Sequence, residues 1–111
     1  MSFAKLIEFG TLKYRELEQR LAEEWQSPQI PPAEPFIIED GNPQQGPLNL
    51  YVIWNAWRDL DPIERSEIIV NACEKVRGRS FVLQVSSATG LTTEEAEQMH
   101  LKYAPLEALH V

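Results

Sequence analysis

One cysteine, Cys73, and two histidines, His100 and His110, make up the chain's stock of soft ligands and ready nucleophiles. A thiolate nucleophile needs a base in contact with it and a third group to orient that base. Cys73 falls on the apolar face of a helical stretch and His100 belongs to a separate one, so the pattern predicts a buried, inert thiol. A lone cysteine also rules out an internal disulfide. Glu97 and His100 are spaced i,i+3 and share a helix face, which offers a metal two ligands. Zinc sites take three or four, and no second pair appears. Asp59 and Asp61 flank a helix start, where carboxylates serve the helix dipole. No serine elbow or paired-carboxylate signature stands out. The expectation is a chain with no catalytic residue, no resident metal and no cofactor.

Two further stretches could hold phosphate. Lys75, Arg77 and Arg79 cluster in KVRGR, and they could form a basic patch for nucleic acid. They also stand at the end of a helix, where cations complement the dipole. The net charge of −7 opposes nucleic-acid binding, whose affinity rests on phosphate contacts. The loop GNPQQGP, residues 41–47, fits only the first half of a phosphate-binding loop. Pro47 and Leu48 stand where Lys and Ser/Thr are required, and a strand follows instead of a helix.

The aromatic residues point to recognition rather than chemistry. In LNLYVIWNAW, residues 48–57, Leu48, Leu50, Val52, Trp54 and Ala56 alternate with Asn49, Tyr51, Ile53, Asn55 and Trp57. This is a strand pattern, with Trp54 on the core side. A single sheet covered by helices buries one face. Tyr51, Ile53 and Trp57 would then form an apolar surface, covered by the N-terminal helix, a protein partner or a second copy in a homodimer.

The elements that position these residues are legible in order. Phe3 to Phe9 reads as a short helix, stopped by Gly10 and restarted by Thr11. Tyr14, Leu17, Leu21 and Trp25 then mark one face of a helix over 12–25, opposite a charged face. Pro28, Pro31, Pro32 and Pro35 make an extended connector. FIIED, residues 36–40, is a short strand and residues 41–47 are a loop. Asp61, Pro62 and Glu64 carry the N-cap, first-turn proline and capping box of a second helix. Its inner face holds Arg65, Ile69, Ala72, Cys73 and Val76, and Gly78 ends it. SFVLQVSSAT, residues 80–89, alternates as a third strand, and Gly90 turns the chain. T-T-E-E opens a final helix, with Glu95 reaching back and Leu91 stapled onto Ala96. Ala96, Met99 and Tyr103 face inward, and Pro105 closes it before the apolar tail LEALHV.

With those elements in place, LYVIWNAWRDLDPIERSEIIVNACEKV and FVLQVSSATGLTTEE resemble the BolA-like proteins, whose fold is related to the second class of KH domain. The resemblance covers about residues 36–97 and implies an α+β fold. In that family a histidine near the start of the last strand is implicated in sharing an iron–sulfur cluster with glutaredoxins. Here Phe81 stands about there, and the loop that usually carries Ser and His reads GNPQQGP, so the resemblance implies the fold without the cluster chemistry. KH-type RNA binding needs a Gly-x-x-Gly loop between helices, and Gly78 has no such companion.

The whole pattern predicts one α+β domain: a three-stranded sheet with helices packed on one face, element order α-β-β-α-β-α. Residues 1–26 would be an N-terminal helical arm, 27–35 a linker, 36–104 the core and 105–111 a tail. The N-terminus lacks the basic, apolar and small-residue series of a signal peptide, and no apolar run reaches the roughly 20 residues that span a bilayer. A cytoplasmic location away from membranes is expected. The function that fits is a small acidic, non-enzymatic interaction or regulatory module. The alternative is a KH-like nucleic-acid binder using Lys75, Arg77 and Arg79.

Overall fold

The computed structural model describes residues 2–28, 34–41 and 47–101, with side chains in the first helix described from Tyr14 onward. The elements are α1 (Ser2–Gln26), β1 (Phe36–Gly41), β2 (Leu48–Ile53), a 3₁₀ turn (Asn55–Trp57), α2 (Pro62–Arg77), α3 (Arg79–Val82), β3 (Val85–Leu91) and α4 (Thr93–Gln98). The α+β class and the order of the principal elements are those expected. The sheet has the order β1-β2-β3, with β1 antiparallel and β3 parallel to β2.

Leu48, Leu50 and Val52 of β2 are fully buried beneath α1 and α2. There they join Leu21, Ile68, Ile69, Ala72 and Cys73 in the main core. The second half of α1 is therefore part of that core. Ile53, on the opposite face of β2, joins Leu91 and Ala96 in a smaller cluster beneath α4. Thus α1 and α2 cover one face of the sheet, and α4 caps one end of the other.

Helix α2 begins and ends as its sequence dictates. Asp61 accepts from the Glu64 amide at 2.9 Å, and Glu64 returns the bond to the Asp61 amide at 3.0 Å. Gly78 closes the helix at φ 87°. Helix α4 repeats the device with Thr92 and Glu95.

Five local expectations are corrected. Gly10 does not stop the first helix, which runs unbroken from Ser2 to Gln26. One interior glycine costs only about 1 kcal/mol, which a long packed helix absorbs. The second strand ends at Ile53 instead of Trp57. Past Trp54 the chain coils into the 3₁₀ turn, which brings residues three apart to one side. The Trp54 and Trp57 rings meet at 5.3 Å between centroids, tilted by 59°. Residues 80–82, read as strand, belong instead to the helical turn α3 (Arg79–Val82), which lowers Phe81 into the core.

Gly90 does not turn the chain but lies within β3, which continues to Leu91. A Cβ on Gly90 would lie 2.6 Å from both the Arg65 Cβ and the Trp57 ring. Finally, α4 stops at Gln98 and leaves Met99 exposed rather than inward. His100 takes φ 57°, its amide donates to the Glu97 carbonyl, and the Leu101 amide donates to the Ala96 carbonyl, both at 3.0 Å. That is a Schellman closure with Leu101 packed on Ala96. The proline-rich residues 29–33, the loop residues 42–46, Tyr103, Pro105, the 105–111 tail and His110 lie outside the described residues.

The close approach at Gly90 yields a direct prediction. Gly90→Ala should lower stability by about 2 kcal/mol or more, because neither neighbour is a flexible chain end that can yield. Urea unfolding measures this; a change within about 0.5 kcal/mol would contradict the packing described.

Candidate functional site

The residues expected to form an exposed recognition face do not form one. Trp57 is completely buried and Ile53 is 2% exposed. Trp57 points inward because the 3₁₀ turn reverses the alternation of a continued strand, and its Nε1 donates to the Leu91 carbonyl at 3.1 Å. Ile53 is covered by α4, an element of the same chain. Only Tyr51 remains half-exposed, so the three residues make no common surface.

The basic cluster is dispersed among acids. Lys75 Nζ lies 2.5 Å from Glu18, Arg77 Nη1 lies 2.9 Å from Glu39, and Arg79 Nη1 lies 3.9 Å from Glu74. The Arg77 guanidinium also stacks over the Phe81 ring at 4.0 Å from its centroid. This arrangement neutralises the end of α2 and leaves a poor landing site for phosphate.

Cys73 is fully buried. Burial first, and the Glu39 charge second, push its thiol up to about 11, with Arg77 opposing. Burial and the Glu64 carboxylate, to which the Tyr14 hydroxyl donates, likewise raise Tyr14 to about 12. Among the described residues no group of three or more His, Cys, Asp and Glu side chains could hold a metal. Among them, too, no helix is long and apolar enough to cross a membrane.

Arg65 carries the densest set of polar contacts. It is 4% exposed. Its Nε donates to the Trp57 carbonyl at 3.2 Å, Nη2 to the Arg58 carbonyl at 3.2 Å, and Nη1 to the Gly90 carbonyl at 3.1 Å and to Glu95 at 2.6 Å. The neighbouring Ser66 Oγ donates to the Ala88 carbonyl at 2.5 Å. A charged residue on the apolar stripe of α2 was the sequence signal for this node. It carries no reactive geometry, since every donor arm is bonded to backbone or to a paired carboxylate.

These bonds decide which edge of the sheet is open. The Trp54 amide donates to the Leu91 carbonyl and the Leu48 amide to the Gln84 carbonyl. Backbone groups alternate in direction along a strand, so even-numbered residues of β2 bond toward β3 and odd-numbered ones toward β1. The Ala88 and Gly90 carbonyls then point away from β2, where Ser66 and Arg65 cap them. Side chains of α2 thus cap two outward carbonyls of the β3 edge.

On β1, the partners of the odd-numbered residues are Phe36, Ile38 and Asp40. Ile37 and Glu39 therefore turn their amides and carbonyls outward, and among the described residues no strand pairs with them. Beside that edge lies a cleft of about 360 Å³ lined by Glu24, Trp25, Pro28, Phe36, Ile37, Glu39 and Arg77. Glu39 Oε2 accepts from Trp25 Nε1 at 2.8 Å and from Arg77 Nη1 at 2.9 Å. A larger hollow of about 610 Å³ is lined by α2 alone, around Ile63 and Val70. One helix face supplies no converging groups, which binding sites require.

No protein-family model, no curated protein and no solved structure matches the chain. The candidate site therefore rests on its own geometry: a β3 edge partly capped by α2, a β1 edge with which no strand pairs among the described residues, and a cleft beside the latter.

Two measurements check the electrostatics. The Thr92 amide, with the Arg65 guanidinium in support, holds the Glu95 carboxyl below its usual range despite partial burial. A depressed folded pKa stabilises above the unfolded pKa and is lost as pH falls through the folded one. Wild-type stability should therefore decline through the acid carboxylate range, and Glu95→Gln should flatten part of that decline. Equal slopes would contradict the assignment. Cys73 should resist an aromatic disulfide reagent at pH 8 until urea unfolds the chain; rapid labelling of the folded protein would show the thiol is not enclosed.

Proposed function

We propose that this protein is a small non-enzymatic interaction module that receives an extended segment of another protein along the outer edge of β1. The observation carrying this reading is the asymmetry of the sheet. Side chains of α2 occupy the outward carbonyls of β3, whereas Ile37 and Glu39 of β1 present backbone donors and acceptors with no strand opposite them among the described residues. An unpaired edge is a template for strand addition, in which main-chain bonds give affinity and flanking pockets give selectivity.

The enzymatic reading finds no reactive constellation among the described residues: Cys73 is enclosed, and Glu39, Glu64 and Glu95 are held in ion pairs or caps. The KH-like nucleic-acid alternative loses its main support, because Lys75, Arg77 and Arg79 each face a carboxylate and the chain carries a net charge of −7. The BolA-like resemblance belongs with this reading as a proposal about the fold, supported by element order alone. It lends no chemistry, since Phe81 stands where the family histidine is expected.

Selection of a random decapeptide library on the intact protein, followed by amide hydrogen exchange with the best binder, tests the proposal. Slowed exchange at Ile37 and Glu39, with the outer face of α2 around Ile63 unchanged, is the expected result. No binder, or protection confined to the Ile63 face, would refute it.

A further inference from the structure

We infer that the strand added at β1 is β1 of a second copy of this chain, laid antiparallel, with Ile38 of each copy directly opposite Ile38 of the other. This rests on the edge-strand reading above and names the partner.

The backbone restricts the register. In an antiparallel pair, two opposed residues exchange both bonds only when their amides and carbonyls point at each other. On the outer side of β1, Ile37 and Glu39 point that way. Two copies related by a twofold axis present the same residues to each other. An axis at Ile37 sets Glu39 against Pro35, which has no amide to give. An axis at Glu39 or at Asp40 sets two carboxylates face to face, which opposes pairing. An axis at Ile38 sets Ile37 opposite Glu39 in both halves of the seam, so both outward residues of both copies are satisfied.

The side chains agree with that register. Ile38 is half-buried and shares a sheet face with Phe36 and Tyr51, packed against the smaller cluster of Ile53, Leu91 and Ala96. The pair at the axis is a non-hydrogen-bonded one, in which Cα atoms stand about 4.5 Å apart and side chains meet most closely. Within each copy Tyr51 lies beside Ile38. A row of Tyr51, Ile38, Ile38 and Tyr51 therefore crosses the seam and joins the smaller clusters of the two copies. The charges permit it. Glu39 stands opposite Ile37 and Asp40 opposite Phe36, so no two carboxylates are directly opposed. Glu39 already accepts from Trp25 at 2.8 Å and from Arg77 at 2.9 Å, and it brings a paired charge to the seam. The remaining repulsion between copies at −7 each is screened over about 10 Å at 0.1 M salt.

Sedimentation velocity of the full chain over a range of concentrations tests the association, and single substitutions test the register. A reversible dimer is expected, with amide exchange at Ile37 and Glu39 slowing as concentration rises. Ile38→Cys should give a disulfide-linked dimer under mild oxidation, because its own counterpart faces it. Ile37→Cys and Asp40→Cys, whose counterparts are displaced along the seam, should not. Cys73 is fully buried and does not compete. Ile38→Lys sets two cations together at the axis and should weaken the dimer about tenfold or more with an unchanged circular dichroism spectrum. Ile63→Lys, on the outer face of α2, should leave the dimer as it is. A monomer at every concentration overturns the inference. If a selected peptide then still protects Ile37 and Glu39, the edge reading stands without it; if no peptide binds either, both fall. A dimer indifferent to Ile38→Lys, or one linked through Ile37→Cys or Asp40→Cys instead, would also overturn it.

Discussion

A guanidinium buried between a helix and a strand edge organises this molecule. Arg65 enters the core on the apolar stripe of α2 and gives its hydrogen bonds to the Trp57, Arg58 and Gly90 carbonyls and to the Glu95 carboxylate. A buried charge is tolerated only when it is paired and its remaining donors are bonded. Here both conditions hold, and the bonds from this α2 residue land on three other elements: the 3₁₀ turn with its cap, β3 and α4. The 3₁₀ turn, the start of α2, the end of β3 and the cap of α4 are thereby fixed with respect to one another. The methylene stem of Arg65 and the Trp57 ring then lie close enough to β3 that only glycine fits at position 90.

That clamp also determines what remains open. A three-stranded sheet has two edges, and each is a liability or an opportunity depending on what covers it. Ser66 and Arg65 take the outward carbonyls of Ala88 and Gly90 and so cover that part of the β3 edge without a fourth strand. Among the described residues no strand pairs with the opposite edge. Structure and recognition are linked through one helix, α2, whose first turns cap part of one edge and whose last turn places Arg77 beside Glu39 at the other.

The elements most legible in the sequence were those with local chemical punctuation. Asp61–Pro62–Glu64 and Thr92–Glu95 announce helix starts because each cap is satisfied within three residues, independent of the rest of the fold. The core alternation of Leu48, Leu50 and Val52 was equally plain. What could not be read locally was set by tertiary contact. WNAW continues the alternation of β2, yet it coils because the tilted contact of Trp54 with Trp57 and the bond from Trp57 to Leu91 outweigh strand propensity. SFV alternates too, but Gly78 at positive φ begins a new turn and Phe81 reaches the core from it. Gly90 looked like a turn because its neighbours Trp57 and Arg65 lie far away in sequence. The recognition surface was sought on a sheet face, where side-chain alternation is visible. An open strand edge is a property of backbone pairing, and side-chain types do not report it.

The central claim is that the Arg65 clamp, rather than general packing, holds β3 and α4 in place and caps the β3 edge. Native-state hydrogen exchange on Arg65→Lys tests it most directly, because lysine keeps the charge but cannot reach several carbonyls in a fixed fork. The account predicts a loss of about 3 kcal/mol, with protection falling most at the β3 and α4 amides from Ala88 to Ala96 and least in α1 around Leu17 and Leu21. Retained stability, or uniform loss across all elements, would contradict it.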